Sequence, residues 1–396
     1  MAFVYSLGGY GEMIADRGRT EAYREALRQT VKPGSVVLDI GTGTGMMAMM
    51  ACQFGARRVY AIEPGDVIEV ARELAAANGF ADRIEFIQGV STEVTLPERA
   101  DVIVSDLRGV MPLFQHIIPS MVDARRRFLT PGGVLIPRRD TLWASVLEFE
   151  KAHQKIVQPW DQDCHGLDLS LVRPMVTNDF SKIDVITAGQ MLAAPQCWAS
   201  IDYPTVENPD VLGQITWSIA RPGVGHGLGL WFDADLAPGI GFSNAPGDHG
   251  LIYGRLFLPW LEPVALAPGD RVTVDLFADL VGDHYVWRWD TLIMDPDRPD
   301  RPKASFRQSS FFCGPPSLAD LQRTASSHAP RLGEKGRIDR FILGLMDGDH
   351  SLGDIAQQAA RQFPQRFANE REALTRAGEL SLKYGRPTDS KYLRET

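Results

Sequence analysis

Only four cysteines occur in 396 residues, Cys52, Cys164, Cys197 and Cys313, and none pairs with another as C-x-x-C. That scatter argues against a zinc site and a disulfide framework, and it fits a reducing cytoplasm. No metal ligand set is therefore expected. No apolar run approaches the roughly 18 residues needed to span a membrane. Residues 1–9 have no basic start leading into an apolar core, so no secretory signal is expected. Positive charge is also short: 41 Lys and Arg stand against 50 Asp and Glu, a net charge of −9. A chain so balanced is not built to hold a nucleic-acid backbone. Repeats and low-complexity segments are absent. What remains is ordinary for a globular protein, 44% hydrophobic and 23% charged. Its length calls for two or three domains.

One stretch organises the chain. Residues 36–38 are a short apolar run of the kind a buried parallel strand makes. Asp39 follows, and then Gly41, Gly43 and Gly45 at alternate positions. Helical character resumes from Ala48 to Phe54. Strand, glycine turn and helix in that order let a ligand approach the backbone where a Cβ would block it. The next strand ends in Glu63, about 20 residues past the glycines, where a carboxylate can accept both hydroxyls of a ribose. A dinucleotide fold prefers G-x-G-x-x-G with a pyrophosphate on the helix N-terminus. The pattern here is G-x-G-x-G after an acid. S-adenosylmethionine (SAM) has no phosphate and carries a sulfonium and an amino group, so it suits this pattern better than NAD or FAD.

From residue 34 to 137 strands and helices alternate. Strands are predicted over 36–39, 59–63, 84–88, 102–105 and 134–136, and helices over 46–54, 67–78 and 113–128. Such alternation predicts a parallel sheet covered on both faces. A helix is predicted from Thr20, with Arg19 just before it. Arg19 is either a solvated arginine at a helix start or a partner for a ligand carboxylate. The methionine run at 46–50 reads as helix packing rather than a site. After residue 147 the alternation stops. Period-two runs at 212–219, 229–233, 250–256, 271–280 and 285–293, with Pro-Gly and Gly-Asp turns between several, predict an antiparallel barrel or sandwich. Residues 151–186 are expected to be partly helical. Residues 338–384 read as helical again, with Ser351 and Asp354 spaced as a capping box. The predicted domains are 1–146, 147–325 and 337–396, with a linker over 326–336.

These stretches resemble the protein arginine methyltransferase family. The likeness rests on Arg19-Thr20, residues 37–45, residues 55–63 and residues 129–137, and on the order of a Rossmann-like domain followed by a β-barrel. It covers about residues 5–294. It implies a class I SAM-dependent methyltransferase in which Asp39, Gly41, Gly43 and Glu63 contact SAM and Arg19 pairs with its carboxylate. Gly45 and Ser105 join that cofactor set. Val90 and Ser91, after the third strand, are implied to lie near the adenine. The family clamps its acceptor guanidinium with two glutamates on the loop after the fourth strand. Here the first position holds Asp106, one methylene shorter, and the second holds the neutral Gln115. Arg108 adds a positive charge to the same loop. One carboxylate beside an arginine leaves a guanidinium underpaired, and an underpaired buried charge costs several kcal/mol. The family's Thr-His-Trp segment falls near Leu251-Ile252-Tyr253, counted from the next Pro-Gly turn. Asp248-His249 lies three residues early, and His249 stands as the third catalytic candidate if the loop is shifted.

The expected activity is thus methyl transfer from SAM to a peptide or small molecule other than a standard arginine. The alternatives are arginine methylation with an altered loop and a SAM-binding scaffold without catalysis. Residues 160–171 loosely resemble part of the family's dimerisation arm, which leaves a homodimer open. The C-terminal stretch lies outside the family. It is similar to small winged-helix domains that bind leader peptides, and it reads equally well as a three-helix packing cap.

Overall fold

A computed structural model describes residues 6–247, 250–315 and 317–385. By internal contacts the chain divides into two compact units, Met1–Pro315 and Pro316–Thr396.

The first unit opens with two helices, α1 (Leu7–Ala15) and α2 (Arg17–Thr30). Asp16 separates them and caps α2, its carboxylate accepting the Arg19 N–H at 3.2 Å. Tyr23, Ala26 and Leu27 recur at helical spacing and form the buried stripe of α2. Then come β1 (Val36–Ile40), α3 (Met46–Gln53), β2 (Arg58–Glu63), α4 (Val67–Ala77), β3 (Ile84–Gln88), β4 (Ala100–Ser105), α5 (Ile117–Phe128) and β5 (Leu129–Ile136). The strands form one parallel sheet in the order β3-β2-β1-β4-β5. Every residue of β1 is buried, as its central place and unbroken apolar run require. The order reverses between β1 and β4. Open sheets of this kind bind ligands in the crevice beyond the carboxyl ends of the strands at that switch point.

Strand register decides which side chains share that crevice. Ile40 pairs with Ile62 on one side and Ser105 on the other. The ends of β1, β2 and β4, with Asp39, Glu63 and Ser105, are therefore level.

The chain continues as β6 (Arg139–Leu147), α6 (Glu150–Asp161), α7 (Arg173–Thr177), β7 (Ser181–Ile183), β8 (Gln196–Asp202), β9 (Val211–Ser218), β10 (Gly223–Ala237), β11 (Ile240–Ser243), β12 (Arg255–Leu266), β13 (Arg271–Val281), β14 (His284–Met294) and β15 (Pro302–Ser309). One antiparallel sheet runs β7-β12-β10-β6-β8 with β11 on β10, and the other runs β15-β14-β13-β9. Aromatic side chains join the two. Trp198 on β8 meets Trp287 on β14 with ring centroids 6.1 Å apart, and Trp260 on β12 meets Phe306 on β15 at 6.0 Å. The expected architecture, a Rossmann-like sheet followed by an antiparallel domain, is what the chain forms.

Three local expectations need correction. The strand predicted over 250–256 begins only at Arg255, because residues 250–254 form a loop. The Arg255 guanidinium, where the strand begins, donates to the carbonyls of Asn244, Ala245 and Asp184. The helix predicted from 113 starts at Ile117, since Gln115 sits at φ +45° and cannot extend a right-handed helix. Strands β6, β7, β8, β11 and β15 and helix α1 were not predicted. Polar residues interrupt the pattern in β6 and β15, while α1 carries three glycines.

The second unit contains α8 (Leu318–Thr324), α9 (Glu334–Gly344), α10 (Leu352–Gln362) and α11 (Glu370–Tyr384). Ser351 and Asp354 form the reciprocal capping box at the start of α10. Ile338, Ile342, Ile355, Ala359, Phe367 and Leu380 make its own core. Among the described residues no helix is long and apolar enough to cross a membrane.

Candidate functional site

The glycine turn after β1 is where backbone demands are sharpest. Gly41 sits at φ +72° and Gly43 at φ +53°, in the left-handed region. A Cβ on Gly41 would run into Leu107, and one on Gly43 would lie 2.7 Å from the Tyr10 ring of α1. Gly45, at φ +80°, caps α3. The turn is thus closely covered by α1 from one side and by the loop after β4 from the other.

Two carboxylates stand at the strand ends. Asp39 is 1% exposed and accepts the Thr42 hydroxyl at 2.6 Å. Burial pushes its pKa up to about 7 against the pull of Thr42 and the Ala48 N–H, and the nearby Glu63 adds to the rise. Glu63 accepts the Gly43 N–H at 3.1 Å through one oxygen and the Gly65 N–H at 2.9 Å through the other. A buried acid with a second acid as neighbour favours a cationic ligand group. That donor set fits a ligand carrying an ammonium or sulfonium, and it fits a ligand phosphate poorly.

Ser105 closes the crevice. Its hydroxyl donates to the Ile40 carbonyl at 3.0 Å and its own carbonyl accepts from Tyr23 at 3.1 Å. Val90, just past β3, is exposed, while Ser91 is buried with its carbonyl held by Arg127 at 2.7 Å. The structure brings Asp39, Gly41, Gly43, Gly45, Glu63 and Ser105 to one edge of the sheet, with Val90 and Ser91 at the flank beside β3.

Behind that edge lies a seam of buried charge. Arg19 shares its Nε–H between Asp106, at 2.5 Å, and the Tyr253 hydroxyl, at 3.2 Å. Tyr253 donates to the same Asp106 oxygen at 2.7 Å. The second Asp106 oxygen accepts from Arg108 at 3.1 Å. Arg108 in turn grips Asp140 with two bonds, 3.1 and 2.7 Å, and donates to Tyr23 at 2.6 Å. Tyr203 donates to Asp140 at 2.7 Å. Two arginines and two aspartates balance. Burial works to raise the Asp106 pKa, yet Arg19, Arg108 and Tyr253 bring it below the ordinary carboxylate value. At Asp140 burial prevails over Arg108, and the pKa is raised.

This seam corrects the expectation that Arg108 presents a bare positive charge to the acceptor loop. Its side chain is wholly buried and Asp140 neutralises it. Asp106 lies at the centre of the seam. Gln115 is half-buried and is not bonded to Asp106; it keeps its left-handed backbone, a conformation that costs a non-glycine residue about 1 kcal/mol or more. Asp248 and His249 lie outside the described residues. Leu251-Ile252-Tyr253 falls beside the loop, as the spacing from the Pro-Gly turn implied, and the Ile252 N–H donates to Asp16 at 2.8 Å. Tyr253, Tyr23, Tyr203 and Asp140 were missed as site residues. Only Tyr253 had a signal, its match to the third residue of the Thr-His-Trp segment. Among the described residues no group of three or more His, Cys, Asp or Glu is placed to hold a metal ion.

A profile of the ribosomal protein L11 methyltransferase (PrmA) family matches residues 18–138. The probable protein arginine N-methyltransferase 6 of Arabidopsis thaliana is 31% identical over 58% of this chain and 55% of its own length. Protein arginine N-methyltransferase 1 of Dictyostelium discoideum is 28% identical over 67% of this chain and 80% of its own. The chain spans from 55% to 66% of three such curated relatives, from Arabidopsis and rice. Among solved structures, a chain of the Trypanosoma brucei PRMT1 enzyme–prozyme heterotetrameric complex with AdoHcy superposes with a TM-score of 0.70. That match is 23% identical and covers 77% of this chain and 98% of the other. Protein arginine methyltransferase 10 of Arabidopsis thaliana gives a TM-score of 0.67 at 24% identity, covering 77% and 97%. These two likenesses establish the fold.

Proposed function

We propose that this chain, which resembles protein arginine methyltransferases in sequence and fold, transfers a methyl group from SAM to an acceptor that is not a cation. The acceptor is a peptide or small molecule presenting an amine, hydroxyl or carboxylate rather than a standard arginine. One observation carries this. Both oxygens of Asp106 are already bonded within the chain, to Arg19 and Tyr253 on one side and to Arg108 on the other. The second acceptor position holds Gln115, so no spare carboxylate remains to clamp a guanidinium.

In this proposal SAM supplies an electrophilic methyl on a sulfonium. Asp39 faces the cationic part of the cofactor, and Glu63 accepts the ribose hydroxyls. Gly41, Gly43 and Gly45 admit it to the backbone, with Val90 and Ser91 flanking the adenine and Ser105 the crevice floor. Arg19, offered a ligand carboxylate, relaxes its hold on Asp106. Asp106 then keeps one oxygen on Arg108 and has the other, with Tyr253, to orient a nucleophile or take its proton. The three remaining charges, Arg108, Asp106 and Asp140, sum to −1, enough for one proton but short of the two carboxylates a desolvated guanidinium needs. Holding the nucleophile in line about 3 Å from the methyl supplies much of the rate. A second reading, a SAM-binding scaffold without turnover, draws support from the same network, because every charge in it is satisfied without any ligand.

Calorimetry with SAM and radiolabelled methyl transfer to matched peptides test the proposal together. Peptides bearing free amines, hydroxyls or carboxylates should be labelled and a glycine- and arginine-rich peptide should not. Robust dimethylarginine formation would overturn the assignment of an acceptor that is not a cation. SAM binding with no label on any acceptor would favour the scaffold.

A further inference from the structure

Arg108, like Asp140, is a fully enclosed charge of the seam. Its side chain is 0% exposed. Asp140 clamps it from Nε and Nη2, Asp106 and Tyr23 take Nη1, and the rings of Phe232 and Phe242 lie 5.7 Å from the guanidinium carbon. A bidentate carboxylate, a second carboxylate and two aromatic walls are how proteins hold a guanidinium ligand. Here the chain supplies the guanidinium itself. The consequence falls on Asp106, whose Oδ1 is taken up by it.

We infer that Arg108 is a specificity-determining residue: a resident guanidinium, held by Asp140, that fills the cation position beside Asp106 and closes the acceptor site to positively charged acceptors. The inference rests on the proposed function only for the word acceptor. Occupancy of the cation position is a binding property and is measurable without methyl transfer. Asp140 sits at the start of β6 and Arg108 on the loop after β4, so the lock spans two parts of the unit. Tyr203 holds the far side of Asp140 and keeps its carboxylate turned to the fork.

The test uses full-length Arg108→Ala and Arg108→Lys, with methylguanidinium as probe and methylurea as its neutral isostere at matched ionic strength. Melting curves give stabilisation and calorimetry gives affinity. Arg108→Ala should bind methylguanidinium at least about tenfold more tightly than the wild-type protein, and methylurea no better than the wild type does. An arginine-containing peptide should displace the probe. Arg108→Lys keeps the charge and should exclude it. If Arg108→Ala does not fold alone, refolding it with methylguanidinium should recover it while methylurea does not. The double variant Arg108→Met with Asp140→Asn removes the clamp and leaves no unpaired buried charge. It should fold and show no gain in methylguanidinium affinity. A folded Arg108→Ala without cation selectivity would overturn the inference. So would an unfolded one that methylguanidinium cannot recover, or a double variant that binds as tightly as the single. Because the readout is binding, these results stand whether or not methyl transfer is detected. Conversely, failure of this test leaves the assignment of SAM to the glycine turn untouched.

Discussion

Cofactor affinity should fall steeply with acid, and Asp39 sets the slope. Its carboxyl is pushed up to about 7 by burial in a crevice that already holds Glu63. A cationic ligand group needs the ionised form. Below that value binding must displace a proton, and affinity drops by the factor 1 + 10^(pKa − pH). The factor is about 1.3 at pH 7.5 and about 30 at pH 5.5, so SAM should bind about 25-fold more weakly at the lower pH. That ratio corresponds to about 2 kcal/mol. The sign is opposite for the isolated protein. A folded-state pKa above the unfolded one contributes stability below about pH 4 that is lost as pH rises through about 7. The cofactor should therefore raise the melting temperature more at pH 7.5 than at pH 5.5. Titration calorimetry in two buffers of different ionisation enthalpy measures the proton released on binding directly. Release should approach one proton near pH 5.5 and vanish near pH 8. Asp39→Asn should bind weakly at every pH and lose the slope. An affinity flat between pH 7.5 and 5.5 in the unaltered protein would refute the role given to Asp39.

Glu63→Ala removes the acceptor proposed for two ribose hydroxyls, each charge-assisted bond being worth about 1.5–3 kcal/mol. Calorimetry should show SAM affinity falling at least about tenfold. The loss should exceed that of Glu63→Gln, which keeps an acceptor for the Gly43 or Gly65 N–H. Tyr253→Phe deletes the hydroxyl that donates to Asp106 at 2.7 Å. It should lower turnover on the true acceptor while leaving SAM affinity within about twofold, as initial rates and calorimetry would show. Asp140→Ala leaves the Arg108 charge buried with Asp106 as its remaining carboxylate, and urea unfolding should show a loss of about 3–5 kcal/mol. The stretch from residue 321 to 335 is exposed throughout. Limited proteolysis should cut there first, and a chain ending at Gly333 should keep its SAM affinity.

The sheet edge that gathers Asp39, the glycines and Glu63 was legible because its signals are local. An apolar strand, an acid, three alternating glycines and a second acid all lie within residues 36–63, and local patterns are what a sequence displays. The seam was not legible, because its partners are distant along the chain. Arg108 and Tyr23 are 85 residues apart, Asp140 and Tyr203 are 63, and Asp106 and Tyr253 are 147. No periodicity encodes such meetings. Asp140 follows Arg138 and Arg139 and reads from sequence as part of a charged turn. Its burial exists only once β6 has paired with β8 and β10. Arg108 was visible as a departure within the acceptor loop, but its counter-charge was not. Its positive charge therefore read as unpaired, although Asp140 neutralises it.

The placement of Asp140 has a consequence for engineering. It belongs to the first strand of the antiparallel domain, while the arginine it neutralises belongs to the loop of the parallel one. The acceptor loop is therefore not a cassette. A loop transplanted from an arginine-methylating relative would bring its own carboxylates and strand Asp140 without a cation. Swapping specificity in either direction should need both segments to travel together, with the strand that follows the parallel sheet as the obligatory companion of the loop.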